Sequence, residues 1–175
     1  MDKETKRYIN DLAEKVIEVY AINVPIDSME DIVRNMRGRI EERNSLELLY
    51  DGTIRKLDDD KYDFEIAISE SQSSERKNFT IAHELGHLFL HMGYRTNNRV
   101  WEKQDDRVYM RFGSSEQEYQ ANEFAAALLM PEYEFERKFY EFSEGNRVNI
   151  TKLANYFKVS RAAALTRGRF LGYIE

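Results

Sequence analysis

The sequence has no cysteine, only two prolines and only three histidines among its 175 residues. Without cysteine the chain forms no disulfides, and a metal site must use histidine and carboxylate ligands rather than thiolates. The longest apolar run, Phe124 to Met130, is far shorter than a membrane span. The opening MDKETKRYIN is too charged for a secretory signal. We therefore expect a cytoplasmic protein that does not engage a membrane.

The composition predicts a folded domain with an acidic surface. Hydrophobic residues make up 42% of the chain and charged residues 33%, a balance typical of one compact unit with a real core. The formal net charge of −6 argues against a protein whose main task is to coat nucleic acid. Residues 146–175 nevertheless contain six Lys or Arg and a single Glu. We interpret this basic segment as a solvated helix face.

Apolar residues recur at helical spacing along much of the chain. Helices are predicted over residues 4–20, 28–37, 74–91, 115–130 and 131–142, followed by a helical hairpin within 146–175. The polar connection 93–114 contains Asn97 and Asn98 and the apolar stretch VYMRF, which predicts a hairpin. We expect a main domain over residues 1–145 and a C-terminal helical hairpin over 146–175, packed on the same domain.

Between residues 39 and 70 the pattern changes to short alternating segments. ELLY, TIRKL and YDFEIAIS predict strands, separated by the turn-like DGT and DDDK. In the last strand, the side chains of Phe64, Ile66 and Ile68 are expected to face the core and Glu65 the solvent. The predicted fold class is α+β, with a small mixed or antiparallel sheet packed against helices.

All three histidines lie in one apolar stretch, FTIAHELGHLFLH, over residues 79–91. Its polar side chains follow the spacing i, i+3, i+4, i+7, i+11, which places them in one narrow stripe along a helix. They are Thr80, His83, Glu84, His87 and His91. Because titratable groups cost free energy when they are buried without partners, this stripe should face something that compensates them.

The first two histidines have the spacing of metal ligands. His83 and His87 lie one helical turn apart, so both rings can reach a single Zn²⁺ ion at about 2.0–2.1 Å. Glu84 is turned by about 100° around the helix and would lie beside the ion, where a carboxylate can take a proton from a water activated by zinc. This HExxH pattern is typical of metalloproteases. The alternative is a pair of core histidines with ordinary hydrogen-bond partners, and Glu84 at the surface.

Two further residues of this helix call for separate explanations. His91 is about 12 Å from His83 along the axis, too far for a shared ion, so we interpret it as a helix-end histidine that bonds a carbonyl. Gly86 costs about 1 kcal/mol relative to alanine inside a helix. A glycine at this position therefore indicates that another backbone approaches closely.

A catalytic zinc site needs a third protein ligand, and the segment SSEQEYQANEFAAALLMP offers three glutamates. At 100° per residue Glu118 and Asn122 fall on the apolar inward face, whereas Glu116 and Glu123 turn away from it. Glu118 is the candidate ligand. Asn122 is placed to accept a hydrogen bond from a ligand histidine and fix its tautomer. The alternative for Glu118 is a solvated glutamate favoured by the helix dipole.

The chain resembles the ImmA/IrrE family of zinc metallopeptidases. The resemblance spans roughly residues 60–173 and rests on RKNFTIAHELGHLFLH, EYQANEFAAALLMP and LANYFKVSRAAALTRGRFLG. It implies a zincin-like site with His83, His87 and Glu118 as zinc ligands and Glu84 as the catalytic residue. Members of this family are cytoplasmic and typically cut or inactivate helix-turn-helix repressors. The implied substrate is therefore a DNA-binding regulator.

The leading hypothesis is a zinc endopeptidase whose strand YDFEIAIS pairs with an extended substrate. A tyrosine is a possible aid to the oxyanion, and the sequence leaves four candidates open: Tyr94, Tyr109, Tyr119 and Tyr133. One alternative is a zinc protein that sequesters a repressor without cutting it.

The other alternative is a DNA-binding regulator that uses residues 149–170, which have helix-turn-helix spacing. Three arginines of this segment would then be available for phosphates or bases, namely Arg161, Arg167 and Arg169. Gly168 stands where the family resemblance leads us to expect a larger apolar residue.

Overall fold

The computed structural model describes residues 1–44, 51–107, 115–145 and 147–175, which form an α+β fold. The helices within these ranges are α1 Lys3–Val19, α2 Met29–Asn35, α3 Ser74–Leu90, α4 Asn98–Glu102, α5 Ser115–Leu129, α6 Glu132–Glu141, α7 Ile150–Phe157 and α8 Arg161–Phe170. The strands are β1 Gly38–Arg43, β2 Gly52–Lys56, β3 Phe64–Ser69, β4 Ser143–Glu144 and β5 Arg147–Val148. The predicted strand ELLY and the apolar stretch VYMRF lie outside the described residues.

The first three strands form a mixed sheet with the order β1-β3-β2. β3 pairs in parallel with β1 and antiparallel with β2, so it is the central strand. Both edges of β3 are therefore occupied, and the prediction that this strand pairs with a substrate is wrong.

The sheet also differs from the prediction of one buried face, because Glu65 is only 1% exposed. Its carboxylate accepts hydrogen bonds from Arg39 and Arg55 at 2.8 Å each and from Arg43 at 3.2 Å. Burial acts to raise the pKa of the Glu65 carboxyl group, but the hydrogen bonds from Arg55 and Arg39 outweigh burial and lower this pKa. The arginine stems cover the face that alternation had assigned to solvent.

The predicted helices are present, and serine side chains cap two of them. Ser28 and Ser73 cap α2 and α3 by accepting hydrogen bonds from the backbone N–H of Asp31 and Arg76. α3 packs closely on α5: a Cβ atom at Gly86 would lie 2.9 Å from the Cα atom of Ala121. The inference that another backbone approaches this glycine is confirmed.

In the described part of the connection after α3, residues 93–107, the chain forms a helix where the sequence predicted a turn of a hairpin. Asn97 accepts a hydrogen bond from the backbone N–H of Val100 and so caps the short helix α4. Trp101 of α4 then packs edge-on against Tyr94, with ring centroids 5.0 Å apart. A small hairpin lies elsewhere, where β4 pairs with β5.

α8 is held to the rest of the fold by a buried arginine. Arg167 is 1% exposed and donates hydrogen bonds to Glu123 at 3.0 Å, to Asn10 at 2.9 Å and to the Met130 carbonyl at 3.0 Å. Glu123, which the helical period had turned away from the inward face, has a side chain only 10% exposed, because it packs against this guanidinium. The expectation that Arg167 is available to nucleic acid is therefore wrong.

Gly168 has a packing role at the C-terminal end. A Cβ atom here would lie 2.5 Å from Cδ1 of Ile174, so the glycine leaves room for a side chain that returns from the tail. The division into residues 1–145 and 146–175 stays a prediction. Within the described residues no helix is long and apolar enough to cross a membrane.

Gly86→Ala should lower the free energy of unfolding by about 1–3 kcal/mol, because the added methyl group meets the α5 backbone. Helix propensity alone would make the alanine variant more stable by about 1 kcal/mol. A decrease in the free energy of unfolding would therefore show that the contact with α5 outweighs helix propensity. Gly168→Ala is the matched control, since its methyl group meets only the end of a side chain, and it should cost less. Urea unfolding measures both, and a Gly86→Ala protein as stable as the wild type would contradict the close contact.

Candidate metal centre

The polar stripe of α3 is buried, as its position between apolar neighbours requires. His83 is 8% exposed, Glu84 1% and His87 0%. The other sides of the helix carry Ile81, Leu85, Leu88 and Phe89, which belong to the core. The stripe faces α5, which brings Glu118 opposite the two histidines.

Three side chains converge at this point in an arrangement that could hold a metal ion. The Nε2 atoms of His83 and His87 lie 3.0 Å apart, and each lies 3.3 Å from a carboxylate oxygen of Glu118. Ligand atoms around a tetrahedral zinc ion with bonds of about 2.0–2.1 Å are separated by roughly 3.3 Å. The spacing of the three groups therefore fits one small cation.

The contacts on the far side of each imidazole match the tautomers that a metal site needs. Nδ1 of His83 is 2.9 Å from Oδ1 of Asn122, which accepts a proton carried on Nδ1 and leaves Nε2 for a metal ion. Nε2 of His91 is likewise 2.9 Å from Oε1 of Gln120, which accepts a proton carried on Nε2. Burial lowers the pKa of His91, which favours its neutral form with an acceptor at Nδ1.

The neutral His91 accepts from His87, whose Nδ1 lies 2.9 Å from Nδ1 of His91. With these tautomers both ligand candidates turn an Nε2 lone pair toward the Glu118 carboxylate. A cation bound there would accept both lone pairs and compensate the carboxylate. His91 does not join the cluster, as predicted, but it bonds a side chain rather than a carbonyl.

Glu84 lies in the cleft beside the cluster, next to the start of β2. A Cβ atom at Gly52 would lie 2.4 Å from Thr80 Cγ2 and 3.1 Å from Glu84 Oε1. Only glycine lets the β2 backbone pass this closely over the carboxylate. The cleft has a volume of about 320 Å³, and its walls also include Arg76 and Phe79.

The sequence identified the residues that meet here and missed some that surround them. His83, His87 and Glu118 come together and Asn122 contacts His83, while Glu84 lies in the same cleft. Gln120, Gly52 and Phe79 were not predicted. Gln120 gave no signal, because at about 100° per residue the helical period places it on the side of the helix opposite Glu118 and Asn122.

None of the described candidate tyrosines lines the cleft. Tyr94 is 2% exposed, and its hydroxyl lies 2.6 Å from the Met36 carbonyl and 2.8 Å from an Asp63 oxygen. Burial raises its pKa. Tyr119 and Tyr133 are 65% and 57% exposed, and Tyr109 lies outside the described residues.

Comparisons with known proteins agree with this geometry. The model of a peptidase family, described as the IrrE N-terminal-like domain, matches residues 49–168. No curated protein matches the sequence. A solved structure titled as a Mycobacterium tuberculosis transcriptional regulator is similar, with a TM-score of 0.61 and 18% sequence identity. The match covers 92% of this chain but only 46% of that one, so this chain spans about half of its length. At this identity the likeness shows the fold alone.

Glu118→Ala should remove most of the zinc that the protein retains through gel filtration, because two imidazoles alone leave the ion without its charged ligand. The measurement is metal content per chain after loading with zinc. Glu116→Ala is the matched control, since Glu116 is an exposed glutamate in the first turn of the same helix. Equal zinc retention in the Glu118 variant and the wild type would contradict the assignment of the cluster.

Proposed function

Because the chain belongs to the IrrE N-terminal-like family of metallopeptidases, we propose that it is a zinc-dependent endopeptidase. In this proposal His83, His87 and Glu118 bind the ion and Glu84 is the catalytic residue. The proposal rests on one observation: the two imidazole Nε2 atoms lie 3.0 Å apart, and each lies 3.3 Å from one of the two Glu118 carboxylate oxygens, beside the buried Glu84. We further propose that the substrate is a helix-turn-helix repressor in the cytoplasm.

The chemistry divides between the ion and the side chains. When bound, a zinc ion supplies Lewis acidity, which polarises a carbonyl group and lowers the pKa of water. The Glu84 carboxylate accepts the proton of the attacking water and passes a proton to the leaving amine nitrogen. Its burial in a narrow cleft keeps bulk water away from this transfer. Asn122 holds the His83 ring through Nδ1 so that Nε2 remains a ligand.

The start of β2 borders this cleft, because Gly52 is part of its lining. A substrate bound at the cluster would therefore lie next to the backbone of this strand. The burial of Arg167 speaks against the alternative of a DNA-binding helix pair.

Glu84→Gln should lower cleavage of a purified candidate repressor by about 10²–10⁴-fold, because an amide cannot accept the proton. Zinc content should stay at the wild-type level, since Glu84 is not a ligand in this proposal. Mass spectrometry of the reaction products and metal analysis of the same sample give both values. The same variant separates cleavage from sequestration: release of the repressor from its operator should stop, and release that persists would favour sequestration.

His91→Leu should weaken zinc binding by about 10–100-fold, because the His87 ring loses the acceptor that fixes its tautomer. His91→Asn is the conservative variant, because Oδ1 of asparagine is bonded to Cγ as Nδ1 of histidine is and can still accept the His87 proton. This variant should therefore bind zinc with nearly the affinity of the wild type. Competition with a chelator of known affinity measures the zinc dissociation constant. Wild-type affinity in His91→Leu would show that His91 has no part in orienting His87.

A further inference from the structure

A groove lies beside the metal centre, between α5, α8 and the start of α1. It has a volume of about 710 Å³, and most of its lining is apolar, including Ala126, Ala162 and Phe170. This volume lies within the range of about 300–1,000 Å³ that is usual for ligand sites. The proposed zinc chemistry makes no use of this groove.

The groove adjoins the cleft of the metal centre. Phe79 and Asn122 line both cavities, so these two side chains form a shared wall. Asn122 is also the residue whose Oδ1 lies 2.9 Å from Nδ1 of His83. A polypeptide that leaves the cluster on this side passes these residues and enters the groove.

An ion pair in the lining of the groove fixes its shape. Arg167 and Glu123 lie 3.0 Å apart, and their side chains are only 1% and 10% exposed. Arg167 also reaches Asn10 of α1, so one guanidinium ties together three helices that surround the space. A groove fixed in this way loses little conformational entropy when a ligand binds.

The apolar character of the rim points to the class of ligand. Tyr119 is 65% exposed at this rim, and Phe79 and Phe170 are only partly buried. The small side chains of Ala126 and Ala163 on the two facing helices leave the space between these rings. Apolar surface arranged around a concave space favours apolar side chains, which gain free energy by leaving water there.

We propose that this groove is a specificity subsite, which accepts large apolar side chains of the polypeptide substrate within a few residues of the scissile bond. The inference rests on the proposed peptidase function and adds to it a substrate class: segments with Leu, Ile, Met or Phe on one side of the cleaved bond. Asn122 then has two tasks, since it orients His83 and separates the reacting bond from the subsite.

The first test uses the zinc-loaded, full-length protein and a peptide mixture prepared by digesting a bacterial proteome. Mass spectrometry identifies the bonds that are cut. On one side of these bonds, large apolar residues should be enriched about tenfold or more over alanine and glycine. Cut sites with no apolar preference on either side would overturn the proposal.

Variants of the groove wall give the matched comparison. Ala162→Trp and Thr166→Trp fill the groove from exposed positions, so they leave the core intact. Both should reduce the apolar preference at least tenfold while the zinc content stays unchanged. Arg169→Trp puts the same ring on an exposed position of α8 that does not line the groove, and it should keep the preference. An unchanged preference in both groove variants would overturn the assignment.

A binding measurement separates failure of the subsite from failure of the peptidase proposal. Zinc-loaded Glu84→Gln protein labelled with ¹⁵N is titrated with acetyl-Gly-Leu-Phe-Leu-Gly-amide and with acetyl-Gly-Ala-Ser-Ala-Gly-amide. The first peptide should shift the amide signals of Ala126, Ala162 and Ala163, and the second should not. If the wild type cuts no peptide although it holds zinc, the peptidase proposal fails and this titration alone decides the subsite. Equal shifts with both peptides, or none with either, overturn the subsite.

Discussion

The close contact between the backbones of α3 and α5 is the constraint on which the rest of the site depends. Gly86 lies between His83 and His87 along the helix, and Ala121 lies between Glu118 and Asn122. Because Gly86 has no Cβ atom, the two helices can approach very closely. A Cβ atom added at this position would lie only 2.9 Å from the Cα atom of Ala121. This approach brings the carboxylate of one helix to the imidazoles of the other. Separating the helices by the thickness of a methyl group would open the cluster.

α5 is fixed on two sides by polar contacts that differ in kind. Asn122 bonds His83, and the next residue, Glu123, pairs with the buried Arg167 of α8. A buried ion pair is a weak source of stability, since desolvation offsets much of its attraction. It does resist rotation of α5, because any turn of the helix would leave a charge buried without its partner. The orientation of Glu118 toward the histidines is thereby coupled to the packing of the C-terminal helices.

The residues of the site could be predicted from sequence because their relations are local. His83, Glu84 and His87 lie within five residues on one helix, and the helical period alone places them. The glutamate opposite them followed from the same period applied to a second helix. The strand that carries Glu65 failed this reasoning: alternation assigns faces to side chains, but it does not show that arginines of two neighbouring strands cover the second face.

Contacts between residues distant in sequence could not be predicted, because local patterns do not show which distant residues the fold brings together. His91 and Gln120 are 29 positions apart, and Glu123 and Arg167 are 44 apart. Each residue alone resembles an ordinary surface or helix-end residue, and its role follows only from the partner that the fold supplies. The polar residues that local rules placed at the surface or at a helix end are therefore those that orient the site. Gln120 bonds His91, which in turn bonds His87, and the ion pair between Glu123 and Arg167 fixes α5. A sequence can name the groups that would hold a cation, whereas the fold determines the direction in which their lone pairs point.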